Sequence, residues 1–153
     1  MLARYKYVLI FLIVTGGILF LYLSKNPQQK TQKVKISGKI FRLEVADNQL
    51  LQTKGLSGRD SLPDDGGMIF VFEQKMPHSF WMKGMRIPLD FLFINGYSIV
   101  DLKENISPPS DFNSTENLPL IIPEYPADKV IEVGAGTIKK LDIKKGDNIE
   151  FIN

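Results

Sequence analysis

Pro88-Leu-Asp-Phe-Leu-Phe-Ile94, then Asn95-Gly96, then Tyr97-Ser-Ile-Val-Asp-Leu-Lys103 reads as two strands joined by a tight turn. Asn-Gly between two such runs is the strongest short-range hairpin signal, because a type I′ turn needs positive φ at both central positions. Strand alternation sets Asp90 on one face with Leu92 and Ile94, while Leu89, Phe91 and Phe93 line the other. A carboxylate in that company is buried and needs a partner. Arg59 or Arg86 is expected to hold it, in an architectural role.

Working outward, Lys39-Ile-Phe-Arg-Leu-Glu-Val45 alternates and predicts a strand. Asp47 is placed to cap a short helix over Asn48 to Lys54, which Gly55 ends. Pro63-Asp-Asp-Gly-Gly67 is turn chemistry leading into a strand at Met68 to Phe72, and a further strand is expected over Ser79 to Lys83. After the hairpin, Asn105 to Pro119 is rich in Pro, Ser and Asn and too long for a routine connection. With Phe112 as its single aromatic, it reads as a mobile flap. A strand at Lys129 to Val133, a short helix near Thr137 to Leu141, a turn at Lys144-Lys-Gly-Asp147 and a strand at Asn148 to Ile152 complete the pattern. The expected fold is β-rich α+β: a curled antiparallel sheet or small barrel with one or two short helices.

The chain has 153 residues, 44% of them hydrophobic and 24% charged, enough for one folded domain over 34–153. It contains no cysteine, which excludes disulfides and thiolate metal sites. Residues 1–39 carry seven Lys/Arg and no acid, leaving 12 bases against 17 acids in 40–153. A folded part that is formally −5 is a poor partner for nucleic acid.

The basic arm contains Tyr7 to Leu23, seventeen uncharged residues of which twelve are Val, Leu, Ile or Phe. As a helix this run rises about 26 Å, close to the roughly 30 Å hydrocarbon thickness, and Lys6 and Lys25 can snorkel at its ends. A signal peptide begins similarly, but Leu21-Tyr-Leu-Ser24 lacks a small-x-small cleavage pattern. An uncleaved anchor is therefore expected, with residues 1–6 as a basic tail and 24–33 as a polar tether. The short charged tail favours an inside N-terminus and an extracytoplasmic domain, although Lys25, Lys30, Lys33 and Lys35 pull the other way.

Residues 67–94 hold half of the ten Phe, four of the five Met and the only Trp and His, so the site is sought there. Trp81 and Lys83 share a strand face; an exposed Trp beside a cation suits stacking on a ring or gripping an anion, and a core Trp with a snorkelling Lys is the alternative. His78 has no second imidazole or thiol to complete a zinc site. Asp64 and Asp65 lie in a turn and read as solvated. Gly58-Arg-Asp-Ser-Leu62 carries an Arg inside the hydrolase signature it approaches, and Gly55-Leu-Ser-Gly58 is not a nucleophile elbow. Gly134-Ala-Gly136 lacks the third glycine of a dinucleotide fingerprint. The ligand-binding candidates are Arg59, His78, Trp81, Lys83 and Asp90, with no metal or cofactor expected.

The segments Gly55-Leu-Ser-Gly-Arg59, Gly67-Met-Ile-Phe70, Phe80-Trp-Met-Lys83, Ile87-Pro-Leu-Asp90 and Val133-Gly-Ala-Gly-Thr137 through Gly146-Asp147 resemble the bacterial and archaeal domain-of-unknown-function family 192. The resemblance spans roughly residues 40–152. It implies a compact β-rich fold in proteins that often carry an export signal, and it supplies no reaction or catalytic residue. Gly84-Met85 stands where that family commonly has Asn-Thr. The functional expectation is a membrane-anchored extracytoplasmic binding module for a small molecule or envelope partner. The rival is a hydrolase acting on an envelope component, with Asp90 or His78 as acid or base.

Overall fold

A computed structural model describes residues 29–111 and 118–152. The Tyr7 to Leu23 run, most of the tether, Phe112 and the centre of the predicted flap lie outside the described residues. Among the described residues, no helix is long and apolar enough to cross a membrane.

Seven strands form one mixed sheet: β1 (Thr31–Ile36), β2 (Lys39–Ala46), β3 (Gly66–Met76), β4 (Leu89–Asn95), β5 (Ser98–Ile106), β6 (Ala127–Gly134) and β7 (Ile149–Ile152). Their spatial order is β5-β4-β6-β3-β2-β1-β7. Neighbours are antiparallel except β2 and β3, which run parallel with Glu44 opposite Met68. Helix α1 (Gln49–Lys54) lies in the crossover between those two strands, and α2 (Thr137–Lys140) follows β6. The expected curled, β-rich sheet with two short helices is present, with one parallel pair in place of a wholly antiparallel sheet.

The curl brings the two ends of the sheet together. Ile99 N donates to Asp147 O at 2.8 Å, Gly146 N to Ile99 O at 2.8 Å and Ile149 N to Tyr97 O at 2.9 Å, so the start of β5 meets the entry to β7. All seven strands place buried residues in the concave core, among them Val34, Phe41, Ile69, Leu92, Ile99, Ile131 and Ile149, with Ile138 and Ile143 closing it. The second core lies on the convex side of the central strands, where Met68, Phe70, Leu89, Phe91, Phe93 and Val130 are covered by Leu56, Met82, Met85 and Ile121. The central strands are thus buried on both faces, and their solvent screen on the convex side is loop.

Several local expectations are corrected. The β4–β5 turn is centred on Gly96-Tyr97, because Asn95 pairs with Ser98. Only Gly96, at φ 64°, is left-handed there, the pattern of a type II′ turn. The type I′ pattern belongs to Ser37 and Gly38, at φ 45° and 81°, between β1 and β2. Strand β1 takes in Thr31 to Lys33 of the expected tether; its polar residues mask the alternation of Val34 and Ile36, and ladders to both β2 and β7 hold it. Asn48, not Asp47, caps α1, accepting from Leu51 N at 3.1 Å, and Gly55 ends the helix. Asn105 and Ile106 extend β5 instead of opening a flap.

The expected strand over Ser79 to Lys83 is a single bridge, Phe80 to Ile121. Strand β3 continues to Met76, and Pro77 then turns the chain back across the convex face. Without a neighbouring strand the segment stays extended but unladdered, and its alternation persists as burial: Met82 is buried while Trp81 and Lys83 are exposed.

Asp90 is fully buried, as its position predicted, but neither arginine holds it. Its Oδ1 accepts from Asn105 N at 2.8 Å and its Oδ2 from Ile138 N at 2.8 Å. Asn105 adopts φ 50° at an irregularity in the β4–β5 ladder, which aims its N–H inward. Ile138 lies in the first turn of α2, whose N-cap Gly136 offers no side chain, so Asp90 supplies the missing acceptor from the sheet. Arg59 instead pairs in a fork with Glu44 at 2.6 and 2.7 Å, and Arg86 pairs with Asp60 at 2.8 Å.

Two substitutions test this account. Asp90→Ala leaves the buried Ile138 amide and the part-buried Asn105 amide without acceptors and is expected to cost about 3 kcal/mol, read by denaturant unfolding. A Cβ at Gly67 would collide with the carbonyl oxygen of Glu132 and press on Leu43 and Val133, whereas one at Gly134 meets nothing within 4 Å. Gly67→Ala should therefore cost about 2 kcal/mol or more, and Gly134→Ala should leave the melting temperature nearly unchanged.

Candidate functional site

The convex covering is incomplete. Between α1, the end of β3 and the segment 77–85 lies an open cleft of about 330 Å³. Phe70, Phe72, Phe80, Trp81, Met76 and Met85 supply its apolar wall, and Glu132 lies at its base.

The wall is built around Phe80. Its ring meets Phe70 edge-on at 5.0 Å, Phe91 at 5.8 Å and Phe93 at 6.1 Å, geometries that favour aromatic pairs. Two backbone hydrogen bonds with Ile121, at 2.9 and 2.8 Å, fix its position. The loop after α1 clasps the loop after Trp81: Ser57 Oγ donates to Lys83 O at 2.8 Å, and Gly58 N donates to Gly84 O at 2.8 Å. Gly84 makes this close turn with φ 68°, and a Cβ there would sit 3.3 Å from Ser57 Cβ. The cleft rim is therefore tied down on both sides.

Two of the five candidate ligand-binding residues reach this cleft. Trp81 stands on its rim, 49% exposed, and the core alternative for it does not apply. His78 stacks on Phe72 with centroids 3.6 Å apart, and its Nε2 donates to Gln74 O at 2.8 Å, so the ring belongs to the wall. Arg59 is committed to Glu44 and Asp90 to backbone amides on the opposite face of the sheet. Lys83 contributes its carbonyl to the clasp while its side chain faces solvent. The structure does not bring these three to the cleft.

Glu132, which is not among the site residues expected from the sequence, also lines the cleft. The strand Lys129-Val-Ile-Glu-Val133 puts it on the same face as Val130, opposite Phe91 on β4 and Met68 on β3. A carboxyl at an apolar-face position was the available signal. It is only 5% exposed, and burial alone pushes it up to about 8. No hydrogen bond or ion pair to it is formed among the described residues, in contrast to Asp90. Its Oε2 lies beside Gly55, within 4.0 Å of where a Cβ there would be, so the glycine that ends α1 also leaves room above the carboxyl. Among the described residues no group of three or more His, Cys, Asp or Glu is placed to hold a metal.

A neutral carboxylic acid at the base of an aromatic cleft can donate a hydrogen bond; once ionised, it demands a cation. The raised value also makes stability depend on pH. Between about 4.5 and about 8 the native chain holds a proton on Glu132 that the unfolded chain releases, so stability falls as pH rises through that window. The expected limiting slope is about 1.4 kcal/mol per pH unit. Melting temperatures measured across this window should fall for the native sequence and fall much less for Glu132→Gln; equal slopes would show that Glu132 is ionised in the folded chain.

Residues 32–151 match the family model described as Uncharacterized ACR, domain of unknown function 192. A protein of Sinorhizobium meliloti 1021, described as a candidate transcription regulator, is 30% identical with a TM-score of 0.72, covering 82% of this chain and 96% of its own. A protein of unknown function from Novosphingobium aromaticivorans DSM 12444 is also 30% identical, with a TM-score of 0.68, covering 80% of this chain and 84% of its own. No curated protein matches the chain. With the family match running from β1 through β7, and with the expected motifs standing in the strands and clasped loops described above, the chain belongs to domain-of-unknown-function family 192.

Proposed function

We propose that the protein is an extracytoplasmic binding module, held at the membrane by Tyr7 to Leu23, and that the Glu132 cleft is its ligand site. The observation that carries this reading is a buried carboxyl without a hydrogen-bond or ion-pair partner among the described residues, at the base of an open cleft walled on one side by aromatic and methionine side chains. A concave surface that joins an aromatic wall to polar side chains from α1, among them Gln49, Gln52 and Thr53, and to a buried carboxyl offers the apolar body and the placed polar groups of a small-molecule site. The anchor rests on the apolar run and its basic flanks.

The hydrolase reading has less support. Asp90 is enclosed by backbone amides, and His78 has its Nε2 committed to Gln74. Glu132 remains as an acid, but Ser57 Oγ donates to a carbonyl, and among the described residues no nucleophile is hydrogen-bonded to the carboxyl. The regulator description of the Sinorhizobium protein finds no counterpart in charge, since residues 40–153 carry five more acids than bases, the wrong sign for phosphate contacts.

A fragment screen by thermal shift on the full chain in detergent tests the site. Ligands of the cleft should raise the melting temperature by linkage and lose that effect when the exposed rim residue Ser79 is replaced by Trp. Hits that persist in Ser79→Trp would move the site elsewhere. Topology is tested separately by adding protease to spheroplasts: digestion of the domain is expected, and protection alongside cleavage of an external control would place it inside.

A further inference from the structure

Resting on the cleft as the ligand site, we infer that its ligand is an organic cation, an ammonium or guanidinium group on an apolar body, that pairs with Glu132. The geometry contains two halves of such a site. The lining includes Phe80 and the half-exposed Trp81, aromatic rings of the kind whose faces attract cations. The base presents a carboxyl with two oxygens and no donor aimed at it among the described residues. A forked guanidinium or an ammonium would supply charge-assisted hydrogen bonds in a place largely shielded from water.

The charged groups around Glu132 leave this role open. From β2, Glu44 is neutralised by Arg59. Strands β3 and β4 face it with Met68, Phe70 and Phe91. The segment after β3 contributes His78, whose Nε2 proton is directed to Gln74 O. From α1, Lys54 lines the cleft at an exposed position, and its charge stands at the mouth. An anionic ligand would meet Lys54 there but would carry its charge down onto an acid. A cation oriented with its charge inward reaches the one acid of the lining.

Pairing changes protonation. Below about pH 8 the empty cleft holds its carboxyl neutral; the cation pairs with the carboxylate, and the displaced proton passes to solvent. One proton leaves per ligand bound, so affinity rises with pH up to that point.

Trp81 is the only tryptophan in the chain and stands on the rim, so its fluorescence reports the cleft. The full chain in detergent is titrated with 2-phenylethylamine and with its uncharged analogue 2-phenylethanol. The amine is expected to bind more tightly, with its dissociation constant falling about tenfold per pH unit between about pH 6 and about pH 7.5. In Glu132→Gln that pH dependence should disappear and the amine should lose its advantage over the alcohol, while Lys83→Gln, whose side chain faces solvent outside the cleft, should retain both. Equal binding of amine and alcohol without pH dependence overturns the cation inference and leaves the cleft as a site for neutral ligands. A Trp81 response to neither probe, with thermal-shift hits that Ser79→Trp abolishes, also rejects the cation and keeps the cleft. No response and no such hits reject both.

Discussion

Strand β4 is buried on both faces from Leu89 to Ile94, and the rest of the molecule is arranged around that constraint. One face turns into the curl of the sheet, where every strand contributes to a continuous core. The other faces outward, and among the described residues no second sheet or long helix covers it. The chain covers it with the segment 77–88, clasped to the loop after α1, and with Phe80 packed onto Phe70, Phe91 and Phe93. Apolar area removed from water stabilises this covering by roughly 25 cal/mol per Å². Because loops cannot tile a surface as strands do, the covering leaves a cleft.

Of the three buried carboxyls of the sheet, Asp90, Asp101 and Glu132, the first and last stand in contrast. Asp90 enters the concave core and receives one backbone N–H on each oxygen, joining β5 to α2 through β4. Glu132, one strand away on the other face, receives none among the described residues. Burial without donors favours the neutral acid, and a group kept in that state where an apolar residue would pack better contributes little to stability. Its chemistry therefore has to be sought in what enters the cleft.

The hairpin, β2, β6 and both short helices were legible in the sequence because each rests on a local rule: alternation, a Gly-containing turn, a cap or a stop. The misplacements were local too. Asn48 and Asp47 are equally able to cap, and Gly96 can serve either central position of a two-residue turn, so only pairing across the ladder distinguishes them. Strand β1 was hidden because Thr31-Gln-Lys-Val-Lys-Ile36 is polar at the exposed positions and owes its form to two neighbours far along the chain.

The site divides in the same way. The sequence by itself determined that chemistry-bearing residues concentrate in 67–94, that Asp90 would be buried and that no cysteine site exists. It also determined the apolar arm and the acid excess of the folded part. Which residues meet was decided only by tertiary structure, because charge pairing and cleft formation depend on contacts between segments distant in sequence. Arg59 found Glu44, fifteen residues away, Asp90 found Ile138, forty-eight residues away, and Trp81 came to share a cleft with Glu132. Alternation can assign Glu132 to a face. It cannot say that the loop above that face stops short of covering its carboxyl, and that opening is what makes the residue a candidate for binding.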